Sequence, residues 1–220
     1  MSSMISFVML MFFLSFYYVY AADYDFNKFS GLAKQRYGAE VYQNVLELQQ
    51  LIVKLKSASE PEKLKQINDF FNQKIKFTDD IDVWDKSDYW ATPLESLGRG
   101  AGDCEDYSIA KYMFLKILNI PNDKLRLIYV RAENSSPEYS AVRAHMVLGY
   151  YSTPESEPLI LDNLKPGILP ASRRPDLSPI FSFNDKALWT AESSSPKGRS
   201  QSHLSRWRDV LSRIHSDGIE

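Results

Sequence analysis

Gly98-Arg99-Gly100-Ala101-Gly102-Asp103-Cys104-Glu105-Asp106-Tyr107 leads directly into an apolar-periodic run from Ile109 to Leu118. The glycines close a loop and the run reads as a helix, which places Cys104 at a loop-to-helix junction. Unpaired backbone N–H groups and the helix dipole favour an anion there, and so favour a thiolate. Asp103, Glu105 and Asp106 act against it, because neighbouring carboxylates raise a thiol pKa. The conflict calls for a compensating cation, or for a role other than nucleophile. Two accounts of the acids stand side by side. They are hard oxygen ligands of the kind Ca²⁺ gathers in sets of six to eight. Acids in a first turn also cap a helix with no metal at all. Capping covers one or two of them, and three around one thiol exceed it. The spacing is not that of an EF-hand loop.

N-terminal to this stretch, residues 23–75 read as helical. Val41, Val45, Leu48, Ile52 and Leu55 recur at steps of three and four. Ser59-Glu60-Pro61 starts a second helix carrying Leu64, Ile67, Phe70, Phe71 and Ile75. Residues 77–102 read as a long acidic loop with aromatics, around Asp79-Asp80-Ile81-Asp82-Val83-Trp84-Asp85 and Asp88-Tyr89-Trp90. Long ordered loops are often functional, and a merely solvated loop rarely spends two Trp and a Tyr.

C-terminal to the cysteine helix the period changes. Residues 125–131, 144–151 and 159–163 read as strands, with further short ones at 180–183 and 187–189. Pro154-Glu155-Ser156-Glu157-Pro158 is a turn between the second and third. Helices first and antiparallel strands after give an α+β fold. Residues 192–202 are Ser-rich. Leu204, Trp207, Leu211 and Ile214 then form a helical stripe flanked by Arg206, Arg208 and Arg213. The stripe reads as a docked terminal helix, with a basic amphipathic segment as the rival reading.

Composition sets the outer limits. The 220 residues carry 44% hydrophobic and 25% charged side chains, the profile of a globular domain with a real core. A net charge of −2 offers no broad basic surface for nucleic acid. A single cysteine excludes an internal disulfide framework and a Cys-rich zinc site. Residues 5–20 form an uncharged apolar run, and Val19-Tyr20-Ala21-Ala22 precedes a polar segment from Asp23. Residues 1–22 therefore read as a signal peptide, although their start lacks Lys or Arg, and an uncleaved N-terminal anchor is the rival. Both readings put the domain outside the cytoplasm. The chain divides into this segment, a domain over 23–190, and a Ser-rich linker with a C-terminal helix over 191–220.

Three residues stand out by type and place: Cys104 opening a helix, His145 within a strand, and Asp162 ending the next strand. Adjacent antiparallel strands bring the last two within hydrogen-bond reach. The set then supplies a nucleophile, a base and a carboxylate that orients the base. His203 and His215 belong to the tail, so the middle of the chain holds one candidate base. The plain alternative is a half-buried strand histidine bonded to backbone.

Trp90-Ala91-Thr92-Pro93, residues 102–107, Ala110-Lys111-Tyr112, residues 124–127, Ala144-His145-Met146-Val147-Leu148 and Leu161-Asp162-Asn163 together resemble the bacterial transglutaminase-like cysteine proteinases. The likeness spans roughly Phe70 to Trp189. It implies a papain-like, transglutaminase-core α+β fold, with Cys104 as nucleophile, His145 as general base and Asp162 as orienter. It implies a Ca²⁺ requirement met by Asp103 and Glu105, with Asp106 beside them. It further implies periplasmic cleavage of the N-terminal region of a large surface adhesin at a di-alanine motif, which disperses biofilm. The implied regulator is a LapD-type inner-membrane cyclic di-GMP receptor that sequesters the protease. Two other readings stay in play: a non-catalytic binding module of the same fold, and an amidase or transglutaminase working through the same thioester.

Overall fold

The computed structural model describes residues 24–136, 139–190 and 204–219. The apolar segment 1–22 and the Ser-rich stretch lie outside them. No helix of the described residues is long and apolar enough to cross a membrane.

Three helices open the fold: α1 (Phe26–Tyr37), α2 (Ala39–Leu55) and α3 (Glu60–Lys74). Each exists because its apolar residues share one face. In α2, Val41, Val45, Leu48, Ile52 and Leu55 are all buried. Asp25 caps α1, its side chain accepting from the Lys28 N–H at 2.9 Å. Ser59 and Pro61 start α3 where the sequence signals it.

The segment expected as a long acidic loop is more structured than that. It contains β1 (Lys76–Phe77), α4 (Asp80–Trp84), α5 (Pro93–Arg99) and β2 (Ala101–Gly102). The local signals for α5 are present in Thr92-Pro93-Leu94-Glu95. Thr92 Oγ1 accepts from the Glu95 N–H and Glu95 returns a bond to the Thr92 N–H, a complete capping box. Gly100 stops the helix in the left-handed region at φ 60°, where a side chain would be strained. β1 and β2 pair in parallel, and the Thr78 N–H donates to the Gly102 carbonyl at 3.0 Å. This two-strand clamp fixes the approach to Cys104.

Next come α6 (Cys104–Ile117), β3 (Leu125–Ser136), β4 (Tyr139–Tyr150), β5 (Leu159–Leu161), β6 (Leu169–Pro170), β7 (Leu177–Phe183), β8 (Leu188–Thr190) and α7 (Ser205–Ser216). β3 to β8 form one antiparallel sheet in the order β6-β5-β4-β3-β7-β8. β3 and β4 run longer than their apolar segments, as a hairpin in register from Leu125↔Tyr150 to Ser136↔Tyr139. The helices cover one face, where Leu125, Leu127, Met146 and Leu148 join the main core. Ile128, Val130, Val147 and Ile160 form a smaller cluster on the other face, as strand alternation requires.

α6 is the central helix. It packs against α3, β3 and β4, and nearly every residue from Cys104 to Ile117 is buried. A helix buried on all sides must satisfy its polar groups internally. Tyr107 Oη donates to the Ile75 carbonyl at 2.5 Å, and Ser108 Oγ to the Met146 carbonyl at 3.1 Å. The terminal helix α7 is docked, with Trp207, Val210 and Ile214 in the main core. Arg213 accounts for part of the basic flank by donating to the Trp90 carbonyl and to Glu95, both at 2.5 Å.

Candidate active site

Cys104 is the first residue of α6 and Asp103 is its N-cap, accepting from the Glu105 N–H at 3.2 Å. The backbone N–H groups of this first turn have no intrahelical acceptor. His145 lies on β4 opposite Val130 of β3. Cys104 and His145 line one cleft of 720 Å³, together with Asp103, Glu105, Tyr129, Arg143 and Lys165.

His145 Nε2 lies 2.8 Å from Asp162 Oδ1, so the two residues expected to pair do pair. Asp162 follows the last residue of β5, and Leu148↔Leu161 sets the register that brings it alongside. Asp162 Oδ1 also accepts from the Leu164 N–H at 3.0 Å, and its own carbonyl accepts from Asn72 Nδ2 at 3.0 Å. Its second oxygen takes Arg174 Nη2 at 2.6 Å, and the same nitrogen reaches Asp176 Oδ2 at 2.9 Å. Burial disfavours the Asp162 anion. Bonds and charge from His145, then Arg174, outweigh it and hold the carboxyl down at about 2.

The thiol takes a different partner. Cys104 Sγ donates to Glu105 Oε2 at 2.7 Å, and Tyr129 Oη donates to Glu105 Oε1 at 2.8 Å. Burial, then the charges of Glu105 and Asp103, push the thiol pKa well up. The conflict legible in the sequence is therefore present in three dimensions.

The acids divide between two groups. Asp103 and Glu105 sit with Cys104, while Asp103 and Asp106 converge with Asp80 from the start of α4. Asp106 Oδ1 accepts from the Ala91 N–H at 2.7 Å, but Oδ2 is buried without a partner. Asp80 accepts from the Tyr89 N–H through one oxygen, and its other oxygen is also buried and unpartnered. Burial, then the neighbouring charges of Glu105, Asp106 and Asp80, drive Asp103 up to about 10. Burial raises Asp80 to about 6 and Asp106 well above its ordinary value. Gly102 makes room for this group, because a Cβ there would collide with the Asp106 carboxylate. Carboxylates crowded together with spare oxygens are the donor set of a hard divalent cation, so these residues fit Ca²⁺.

Asp80, Tyr129, Arg174 and Asp176 are the participants that sequence reasoning did not single out. Asp80 lies 23 residues before Asp103 in an acidic run with no periodicity to distinguish it. Arg174 follows a short 3₁₀ turn and carries no motif, yet it is 2% exposed. Lys111, within a block already noted, is buried two turns after Cys104, with Nζ 5.6 Å from the Tyr107 ring centre. Burial lowers its pKa to about 7, against the pull of Asp162 and Asp69.

Removing the Arg174 guanidinium leaves Asp162 Oδ2 buried without a partner, while Oδ1 keeps His145 and the Leu164 N–H. Arg174→Met is expected to cost about 3–5 kcal/mol of stability. It also alters the acid limb. The Asp162 pKa lies below its ordinary 3.8, so its contribution is full above that value and is lost as pH falls through about 2. That contribution is about 2 kcal/mol at neutral pH and is shared between His145, the larger cause, and Arg174. The wild type minus variant difference in melting temperature should therefore be constant above pH 5 and shrink between pH 4 and 2.

Comparison with known proteins agrees with this geometry. The family model described as bacterial transglutaminase-like cysteine proteinase matches residues 35–176. An EGTA-treated structure of Legionella pneumophila LapG is 40% identical, covers 88% of this chain and all of its own, and superposes with a TM-score of 0.75. A second LapG structure from that organism is 39% identical over 88% of this chain and 98% of its own, at 0.74. The calcium-bound form is 38% identical over 86% and 99%, at 0.72. No curated protein matches the chain in sequence. With its cysteine opening a buried helix against an antiparallel sheet, the chain belongs to the bacterial transglutaminase-like cysteine proteinase family.

Proposed function

We propose that this protein is a calcium-dependent cysteine endopeptidase using Cys104, His145 and Asp162 as a triad. The observation that carries the reading is the cleft shared by Cys104 and His145, with the imidazole anchored through Nε2 to a buried, ionised Asp162. With Nε2 committed, Nδ1 is the nitrogen left for the thiol.

The chemistry follows from these atoms. In the reactive arrangement Sγ faces His145 Nδ1 in place of Glu105 and passes it the thiol proton. The thiolate attacks the peptide carbonyl carbon. First-turn N–H groups of α6, that of Cys104 among them, hold the oxyanion. The imidazolium gives its proton to the leaving amine as the C–N bond breaks, leaving a thioester. His145 then takes a proton from water, the hydroxide adds to the thioester, and the acid departs as Sγ regains its proton. Asp162 keeps the imidazole oriented and stabilises its charged form.

Asp80, Asp103 and Asp106, with Glu105 at the edge of the group, are the residues that would hold Ca²⁺. When bound, the ion supplies positive charge that neutralises the carboxylates and stiffens the turn bearing Cys104.

The substrate reading rests on the likeness to LapG. It is the N-terminal region of a large surface adhesin, cut in the periplasm with release of the adhesin and dispersal of biofilm. The regulator is a LapD-type inner-membrane receptor for cyclic di-GMP. The segment at residues 1–22 serves as the export signal. Incubation with the N-terminal segment of the adhesin from the same organism tests this, with Ca²⁺ and with chelator. Calcium-dependent cleavage that disappears in Cys104→Ala is the expected result. Cleavage by Cys104→Ala overturns the nucleophile, and amine incorporation without hydrolysis assigns the chain to transglutaminase chemistry.

A further inference from the structure

The sheet face turned away from α6 carries a second cavity, of 430 Å³. This is the size of a small-ligand site, commonly about 300–1,000 Å³. Its floor is the apolar cluster of Ile128, Val130, Val147 and Ile160. Gly149 on β4 leaves space beside that floor, and a Cβ there would strike Ile128.

One wall is charged. Arg126 projects from β3 with its guanidinium 4.3 Å from the Tyr151 ring centre and 4.2 Å from that of Trp189. The residue is 8% exposed. Its Nε has no partner, and Nη2 makes only a long bond, 3.4 Å, to the Pro154 carbonyl. Among the described residues no carboxylate pairs with it, although the exposed Glu155 stands at the rim. Arg174 borders the same cavity. Its Nη1 is also unpartnered, while Nη2 is committed to Asp162 and Asp176. Aromatic rings offset part of the cost of burying a cation. The Tyr151 hydroxyl oxygen is a neutral acceptor for the guanidinium, which leaves the buried cation without a counter-charge.

We propose that this cavity is a binding site for an apolar or aromatic carboxylate. The anion pairs with the Arg126 guanidinium, and the body lies on Ile128, Val147 and Ile160. A guanidinium suits a carboxylate because its planar fork makes two parallel bonds to the two oxygens. A free small acid and the C-terminal residue of a peptide share this chemistry.

Calorimetric titration of the full chain tests the site with four probes: 3-phenylpropionate, 3-phenylpropanol, and a tripeptide ending in Phe with a free or an amidated C-terminus. The propionate is expected to bind at least about tenfold more tightly than the alcohol, the effect of a charged hydrogen-bonded pair. Arg126→Gln should remove that preference. If the variant fails to fold, the acid and alcohol comparison on the wild type still decides. Tighter binding of the free-terminus peptide than of the propionate supports the site as a reader of chain ends, and binding of the small acid alone supports it as a metabolite site. Equal affinity for acid and alcohol, no binding of any carboxylate at millimolar concentration, or undiminished binding to a folded Arg126→Gln overturns the proposal.

Discussion

His145→Ala is expected to lower peptide hydrolysis by about 10²–10⁴-fold, the usual contribution of a positioned general base. Burial and the two flanking carboxylates hold Cys104 in its neutral form. Helix-terminal N–H groups favour the anion, but Glu105 Oε2 at 2.7 Å and Asp103 oppose them at shorter range. Something else must take the proton. Among the described residues lining the cleft, His145 is the one imidazole, and Asp162 fixes it in place. Steady-state cleavage of the adhesin segment, with alkylation of Cys104 measured in parallel, checks this. Both rates should fall together, because both need the thiolate. If Cys104 of the variant alkylates at the wild-type rate, another group activates the thiol and His145 has a different task.

The second large effect concerns the acidic cluster. Calcium at a thousand times its dissociation constant should stabilise the fold by about 4 kcal/mol. For a domain of this size that raises the melting temperature by roughly 8–16 °C. Chelator should reverse the rise. Asp106→Asn makes the sharper test because its effect changes sign. Without calcium, removing a buried acid whose ionisation the fold opposes should raise the melting temperature at neutral pH. With calcium, the variant should gain little, since a ligand is gone. Differential scanning calorimetry of both proteins in EGTA and in calcium measures all four values. A wild-type melting temperature indifferent to calcium would exclude the cation and leave the acids as helix caps. The raised pKa values of Asp103 and Asp106 and the unpartnered oxygens of Asp106 and Asp80 are the structural reason to expect the ion.

Arg174 links this chemistry to the rest of the molecule. One edge holds Asp162 in position behind His145, and another borders the cavity on the far face of the sheet. A residue with no sequence motif thus stands between a candidate catalytic pair and a candidate ligand site.

The sequence by itself determined most of the elements outside residues 77–102 and put forward the candidate reactive residues. Helical periodicity and capping are local, so the stripe Val41 to Leu55, the start at Ser59 and the helix beginning at Cys104 were legible from neighbours a few residues apart. A lone cysteine at a helix start, one histidine in the middle of the chain and an aspartate after a strand were countable, and the turn at 154–158 predicted that the last two would meet. The capping box at Thr92 was equally local, and the aromatic and acidic character of residues 77–102 obscured it. Only the tertiary structure decided which charge meets which. Asp80 reaches Asp103 through the placement of α4 beside the β1–β2 clamp. Glu105 turns to Cys104 and Tyr129, while its neighbour Asp106 turns to the Ala91 N–H. These pairings follow from burial, which leaves each charged group only the partners that packing puts within about 3 Å. Packing is a property of the whole chain, so no local pattern reports it.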